Sequence, residues 1–302
     1  MIQKKNIILS LSTLLLSAAM FVLFFAVRNS GGSEGEVSGF KFTESLCRLS
    51  QAAEPKPQEL IDRDPSVDLD ALLQVNPDTI GWITVPNTDV SYPVMQSTDC
   101  DEPAFDKYLH GRGADGQYNY FGAIYADSRG RITEDNYPDN IILYGHNMYP
   151  LNEEFFSHLV RYESFDFYKQ NPVIGFDTLY GKDDWKIFSI MYINVRSEDG
   201  ELFDFIGDKY INFETEEDFN EYYSEITRRS LINTDISVEY GDNILTLVTC
   251  ERRFIKDARL VIYARKIRPD EEHDVDISKV SINPSPVMPE GWAKKGFGSL
   301  MN

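Results

Sequence analysis

Cysteine is scarce in this chain: Cys47, Cys100 and Cys250 are the only three in 302 residues. A small disulfide framework uses more, and an odd number leaves at least one thiol free. Positive charge is short as well, with 29 Lys and Arg against 49 Asp and Glu for a net charge of −20. Residues 1–28 hold three positive charges and no negative one, so residues 29–302 carry −23. Such a surface repels nucleic acid and anionic headgroups and suits cationic partners, so no nucleic-acid partner is expected. The chain has no internal repeat. One stretch, GGSEG (Gly31–Gly35), matches G-x-S-x-G, but a nucleophile elbow needs a strand before it and a helix after it, and neither is there.

One long apolar run is present, the 21 residues Ile7–Val27, interrupted only by Ser and Thr. As a helix rising about 1.5 Å per residue it would span a hydrocarbon core of about 30 Å. Lys4 and Lys5 precede it and no acid does, which predicts a single-pass anchor with a cytoplasmic tip and everything else outside. A convincing small-x-small cleavage site is missing, so the anchor is expected to stay. Residues 29–64 read as a flexible tether, first Gly and Ser, then Ala, Pro and charge.

Residues 65–268 form the expected domain. SVDLDALLQVNPD predicts a helix, with Ser66 as N-cap and a stop at Asn76-Pro77. Short β-type segments follow one after another: GWITVP, VSYPVMQ, FGAIYAD, NIILYGHN, PVIGFDTL, WKIFSIMYINV, ISVEYG, ILTLVTC and RLVIYARKI. That many closely spaced strands in one domain predict a closed or nearly closed barrel, a mostly β fold. Two helical insertions are expected, at Asn152–Gln170 and Thr215–Leu231, both with acidic first turns. Residues 269–302 turn polar and Pro-rich and read as a loosely attached tail.

The chemistry sits at strand ends. Cys250 closes ILTLVTC, Arg259 opens RLVIYARKI nine residues later, and His146 ends NIILYGHN. Thr246, Val248 and Cys250 share one face of their strand, and Arg259, Val261 and Tyr263 share one face of the next. The connection between those strands is long enough for an antiparallel pair, which would bring Cys250 and Arg259 to the same rim. A thiol nucleophile, an imidazole that titrates near neutral pH and a permanently charged guanidinium are what thiol-based acyl transfer requires. Arg252, Arg253 and Arg259 around Cys250 favour an anion there, whereas Cys100 lies in the acidic loop STDCDE, which disfavours one. Arg252, Arg253 and Arg265 compete with Arg259 for the oxyanion role. The first two sit on the connecting loop and the third lies far from the rim, so Arg259 is preferred. His110, His158 and His273 read as surface histidines.

YGHN at His146, TLVTC at Cys250 and DARLVIYARKI with Arg259 resemble the sortases, membrane-anchored cysteine transpeptidases of Gram-positive bacteria. VNPDTIGWITVPNTDVSYPVMQ (Val75–Gln96), FGAIYAD (Phe121–Asp127) and the helical insert at Thr215–Leu231 look like class B of that family. The resemblance covers about Ser66 to Lys266. It implies an eight-stranded β-barrel with peripheral helices. It also implies cleavage of a secreted protein's C-terminal sorting motif after Thr, with transfer of the acyl group to an amine of peptidoglycan or of another protein. Cys250 would be the nucleophile, His146 the proton carrier and Arg259 the oxyanion partner. Thr249 and Glu251, flanking the nucleophile, are candidates to line the substrate groove, as are Tyr192 and the aromatics of the insert. Position 248 is often Ser in class B and is Val248 here. No cofactor is expected, and no metal, because no D-x-D-x-D-G loop is present. A peptidase that uses water as acceptor, or a non-enzymatic wall or pilus component, are the alternatives. The chain ends EGWAKKGFGSLMN, without the apolar tail expected of a wall-attached subunit.

Overall fold

The computed structural model describes residues 61–293 except 101, 254 and 256. The apolar run Ile7–Val27, Cys47 and most of the 29–64 segment lie outside these residues. Among the described residues no helix is long and apolar enough to cross a membrane.

Helix α1 (Leu69–Val75) precedes the first strand, and Asp68 caps it by accepting the Ala71 N–H. Ser66, the expected cap, instead donates its hydroxyl to Asp64 at 2.6 Å. The helix stops at Asn76, as Pro77 requires. The strands are, in chain order, β1 (Thr79–Thr84), β2 (Ser91–Met95), β3 (Ile124–Ala126), β4 (Asn140–Tyr144) and β5 (Val173–Thr178). They continue with β6 (Gly181–Ile193), β7 (Ile232–Asn233), β8 (Ile244–Glu251), β9 (Ala258–Lys266) and β10 (Ser281–Ile282). All but β7 and β10 close a barrel in the order β1-β2-β3-β4-β8-β9-β6-β5. β2 with β3 and β4 with β8 run parallel, and every other barrel neighbour runs antiparallel. The predicted mostly β, closed eight-stranded architecture is therefore what the chain adopts. Ile83, Val94, Leu143, Ile174, Phe176, Trp185, Leu247 and Ile262 are among the fully buried residues of one continuous core.

Several expectations need correction. ISVEYG is not a strand. Ile236 and Val238 are buried in alternation, which imitates the strand period, but no neighbouring chain pairs with them. β7 lies just before them and pairs with β10 outside the barrel. The insertion at 152–170 is not one helix. It is a 3-10 stretch Ser157–Glu163 followed by α2 (Phe165–Gln170), broken where Ser164 takes an extended conformation and caps the second piece. The second insertion is helix α3 (Glu216–Arg229), with Thr215 accepting the Asp218 N–H. Its Phe219, Tyr222 and Ile226 are buried against the barrel core.

The C-terminal segment is attached, against expectation. Val275 and Val280 are buried, Glu271 pairs with Arg265 and Lys186, and Trp292 on helix α4 (Glu290–Ala293) is buried with its ring 4.2 Å from that of Tyr192. A polar, Pro-rich composition hides the few apolar anchors that do this. At the other end Ile61 is buried and Arg63 pairs with Asp177 and Asp184, so the last residues of the expected tether belong to the folded domain.

Candidate active site

Three adjacent strands place the reactive groups. β8 and β9 pair antiparallel with Cys250 directly opposite Arg259, Val248 opposite Val261 and Thr246 opposite Tyr263. Facing residues in such a ladder project to the same side, so the face inferred from alternation is the real one. On the other flank β4 runs parallel to β8 with Tyr144 beside Val248. His146 comes two residues past the end of β4. The extension is held by Gly145 N–H to Val248 O at 3.2 Å, Thr249 Oγ1 to Gly145 O at 2.8 Å and Asn147 Nδ2 to Cys250 O at 3.0 Å. Cys250 and Arg259 thus face each other across β8 and β9, and His146 lies two residues past the end of the neighbouring β4. All three are partly exposed.

The imidazole is oriented from a loop. His146 Nε2 lies 2.8 Å from Leu109 O. A carbonyl only accepts, so Nε2 carries the hydrogen and the lone pair is on Nδ1. The Leu109 carbonyl is in place because Gly122 has φ +65°, and a Cβ there would sit 1.9 Å from Tyr108 O and 2.8 Å from Leu109 O. The His146 ring packs 4.9 Å from that of His110 and 6.5 Å from that of Phe155. Burial pushes the proton affinity of His146 below that of a free imidazole. The Leu109 bond acts in the opposite direction, and the nearby His110 and Arg252 add to the depression. His146 is therefore a neutral base at neutral pH.

The arginines separate into distinct tasks. Arg259 Nη1 donates to the carbonyls of Asp257 (2.7 Å) and Ala258 (3.1 Å), with Asp257 in the left-handed region at φ +66°. Arg253 pairs with Glu251 and Glu163, and Arg265 is buried against Glu271. Neither is free to act as the oxyanion donor. Arg252, which the sequence alone presents as a loop residue, brings Nη2 to 3.7 Å from Cys250 Sγ. His110 is exposed, as a surface histidine should be, but it stacks on His146. Only the return of the 106–122 loop onto β4 reveals that contact.

Thr249 and Glu251 do not line the groove. Both lie on the opposite face of β8 from Cys250, because a strand alternates at every residue. Thr249 is buried with its hydroxyl on Gly145 O, and Glu251 is fully buried against Arg253. Tyr192 is buried beneath Trp292. Val248 is buried and directly precedes the rim. His158 is buried, not at the surface, and His273 is exposed. Asp89, Glu153 and His158 come together as a set of potential metal ligands. His158 Nδ1, however, accepts the Asp89 N–H at 2.9 Å, which leaves the hydrogen on Nε2 facing Glu153 at 2.8 Å. A nitrogen in that state has no lone pair to offer a cation.

A thiol opposite a fixed guanidinium, with a neutral imidazole just past the end of the adjoining strand, suits acyl transfer through a thioester. Comparison with known proteins agrees. The family model described as "Sortase domain" matches residues 83–267. Sortase B of Staphylococcus aureus is 30% identical over 201 residues, covering 66% of this chain and 73% of that protein. Sortase B of Listeria monocytogenes is 28% identical over 209 residues, covering 66% of this chain and 74% of that one. The X-ray structure of Clostridium perfringens sortase B superposes with a TM-score of 0.55 at 29% identity, covering 67% of this chain and 100% of that chain. A barrel, a cysteine strand and an arginine strand in this register, found in a chain with these relatives, lead to one assignment: the chain belongs to the sortase family and is a class B sortase, a cysteine transpeptidase.

Proposed function

We propose that this transpeptidase cleaves a short sorting motif near the C-terminus of secreted proteins after its Thr, and joins the acyl product to an amine of the cell wall or of another protein. The Cys250 sulfur attacks the Thr carbonyl carbon as the thiol proton passes to His146 Nδ1. Arg259 hydrogen-bonds the oxyanion, and the C–N bond breaks as His146 delivers a proton to the leaving amine. An acceptor amine then attacks the thioester, gives its excess proton to His146 and expels the Cys250 thiolate. The chain works at the outer face of a cytoplasmic membrane, held by Ile7–Val27 as a single-pass anchor with its N-terminus inside.

The observation that carries this reading is Cys250 directly opposite Arg259 in the β8–β9 ladder, with His146, just past the end of neighbouring β4, oriented by Leu109 O. Support also comes from S. aureus sortase B, 30% identical to this chain, which has been solved as a substrate complex. The test is a library of sorting-motif peptides offered to the full chain, with products weighed by mass spectrometry in the presence and absence of an amine acceptor. Peptide joined to the amine, with no product from Cys250→Ala, is the expected result. Turnover surviving in Cys250→Ala would overturn the site, and water adducts alone would make the protein a peptidase.

A further inference from the structure

The loop that follows the nucleophile carries a positive charge onto the reacting sulfur. Arg252 Nη2 is 3.7 Å from Cys250 Sγ, and among the described residues no carboxylate lies within ion-pair distance of Arg252. In a chain with 49 acids and 29 bases an arginine directed at a thiol instead of an acid calls for a reason. The placement is fixed from both sides. Asn147 Nδ2 holds Cys250 O at 3.0 Å, and the buried Glu251 accepts both the Arg253 N–H at 2.7 Å and its guanidinium. Ile255, further along the loop, is buried. Arg252 is therefore flanked by two anchored residues, with its side chain at the surface and its head at the sulfur. Arg259 reaches the same rim from β9 but gives Nη1 to Asp257 O and Ala258 O.

We infer that Arg252 is a second catalytic arginine, whose guanidinium stabilises the Cys250 thiolate and leaves Arg259 to meet the oxyanion. The inference rests on the transpeptidase reading, because it concerns the same nucleophile. Adjacent cations are what make a thiol reactive, and a neutral His146 is not that cation in the resting enzyme. Arg252 also lowers the proton affinity of His146, so it favours the thiolate directly and not through a protonated imidazole. As the sulfur attacks, the thiol proton passes to His146 Nδ1, which later delivers it to the leaving amine, and the negative charge on sulfur lies beside the guanidinium.

Alkylation by iodoacetamide tests this without any substrate. The thiolate sulfur forms a C–S bond as iodide departs, and peptide mass spectrometry separates Cys250 from Cys47 and Cys100. In Arg252→Gln the guanidinium beside the sulfur is lost, so Cys250 alkylation at about pH 7 should slow about threefold. Arg252→Lys, which keeps the charge, should recover most of the rate. Equal or faster alkylation in Arg252→Gln overturns the inference, as does a lysine variant no better than glutamine. Either result leaves the transpeptidase reading standing, since that reading fails only if sorting-peptide turnover does not depend on Cys250.

Discussion

Replacing Trp292 with alanine probes whether the C-terminal segment is part of the catalytic domain. The indole is 1% exposed and stacks at 4.2 Å on Tyr192, which is itself fully buried on β6 beside the strand that carries Arg259. An aromatic side chain buries about 150–250 Å², which at about 25 cal/mol per Å² sets an upper bound of about 4–6 kcal/mol. Measured Trp→Ala losses of about 3–5 kcal/mol fall in the same range. The segment has other anchors in Val275, Val280 and the Glu271 ion pairs, so part of the loss can appear as local undocking. We expect the unfolding free energy of Trp292→Ala to fall by about 3 kcal/mol. That corresponds to about 1 M in the urea midpoint for a slope near 3 kcal/mol per M. Far-UV circular dichroism of the full chain against urea measures it, and limited proteolysis reports cleavage within residues 269–293. A midpoint within about 0.2 M of the parent, with no new cleavage, would refute the docking and return this segment to a loose tail.

Other consequences can be checked directly. Arg259→Ala should lower kcat/KM by about two to three orders of magnitude, as loss of one oxyanion donor does, and unchanged turnover would remove Arg259 from the mechanism. His146 acts as a base and burial lowers its proton affinity, so the acid limb of kcat/KM should lie below the usual 6.5 of a free imidazole. His110→Ala, which removes a neighbour that depresses the proton affinity of His146, should move that limb upward, and a limb above about 7 in the parent would contradict the geometry. Gly122→Ala should cost activity with the thiol intact, because a Cβ at φ +65° would displace the Leu109 carbonyl that orients His146; full kcat/KM in that variant refutes the argument. Burial raises the proton affinity of Glu271, but hydrogen bonds from Arg265 and Lys186 outweigh it and hold the carboxyl at about 2. Its contribution, about 1–2 kcal/mol after solvent screening, is complete above pH 4.5 and is lost as pH falls through about 2. Glu271→Gln should therefore flatten the acid side of the stability profile, and an unaltered profile would count against the pairing.

The residues legible in the sequence are those governed by local periodicity. Alternation along ILTLVTC and RLVIYARKI determined that Cys250 and Arg259 share a face, and a short connection between two strands left few pairings except the antiparallel one. Barrel closure followed from the density of strand-like segments. The same periodicity misled at ISVEYG, where Ile236 and Val238 alternate with no chain to pair with. At Thr249 and Glu251 it pointed the right way, since their odd positions put them on the face away from the thiol, and their nearness to Cys250 in the chain was the wrong guide.

Tertiary structure decided what depends on segments far apart in the chain. Leu109 O reaches His146 across 37 positions and Arg253 reaches Glu163 across 90. His110 stacking on the same imidazole and Trp292 covering Tyr192 are contacts of the same long-range kind. No pattern of nearby residues encodes them. Composition made the C-terminal segment look detached and Arg252 look like a solvated loop charge. A few buried apolar side chains hold the segment down, and two anchored neighbours turn the arginine toward sulfur. Local sequence specifies which face a side chain takes on its own strand, whereas its partner across space is set by how the closed barrel brings the loops together.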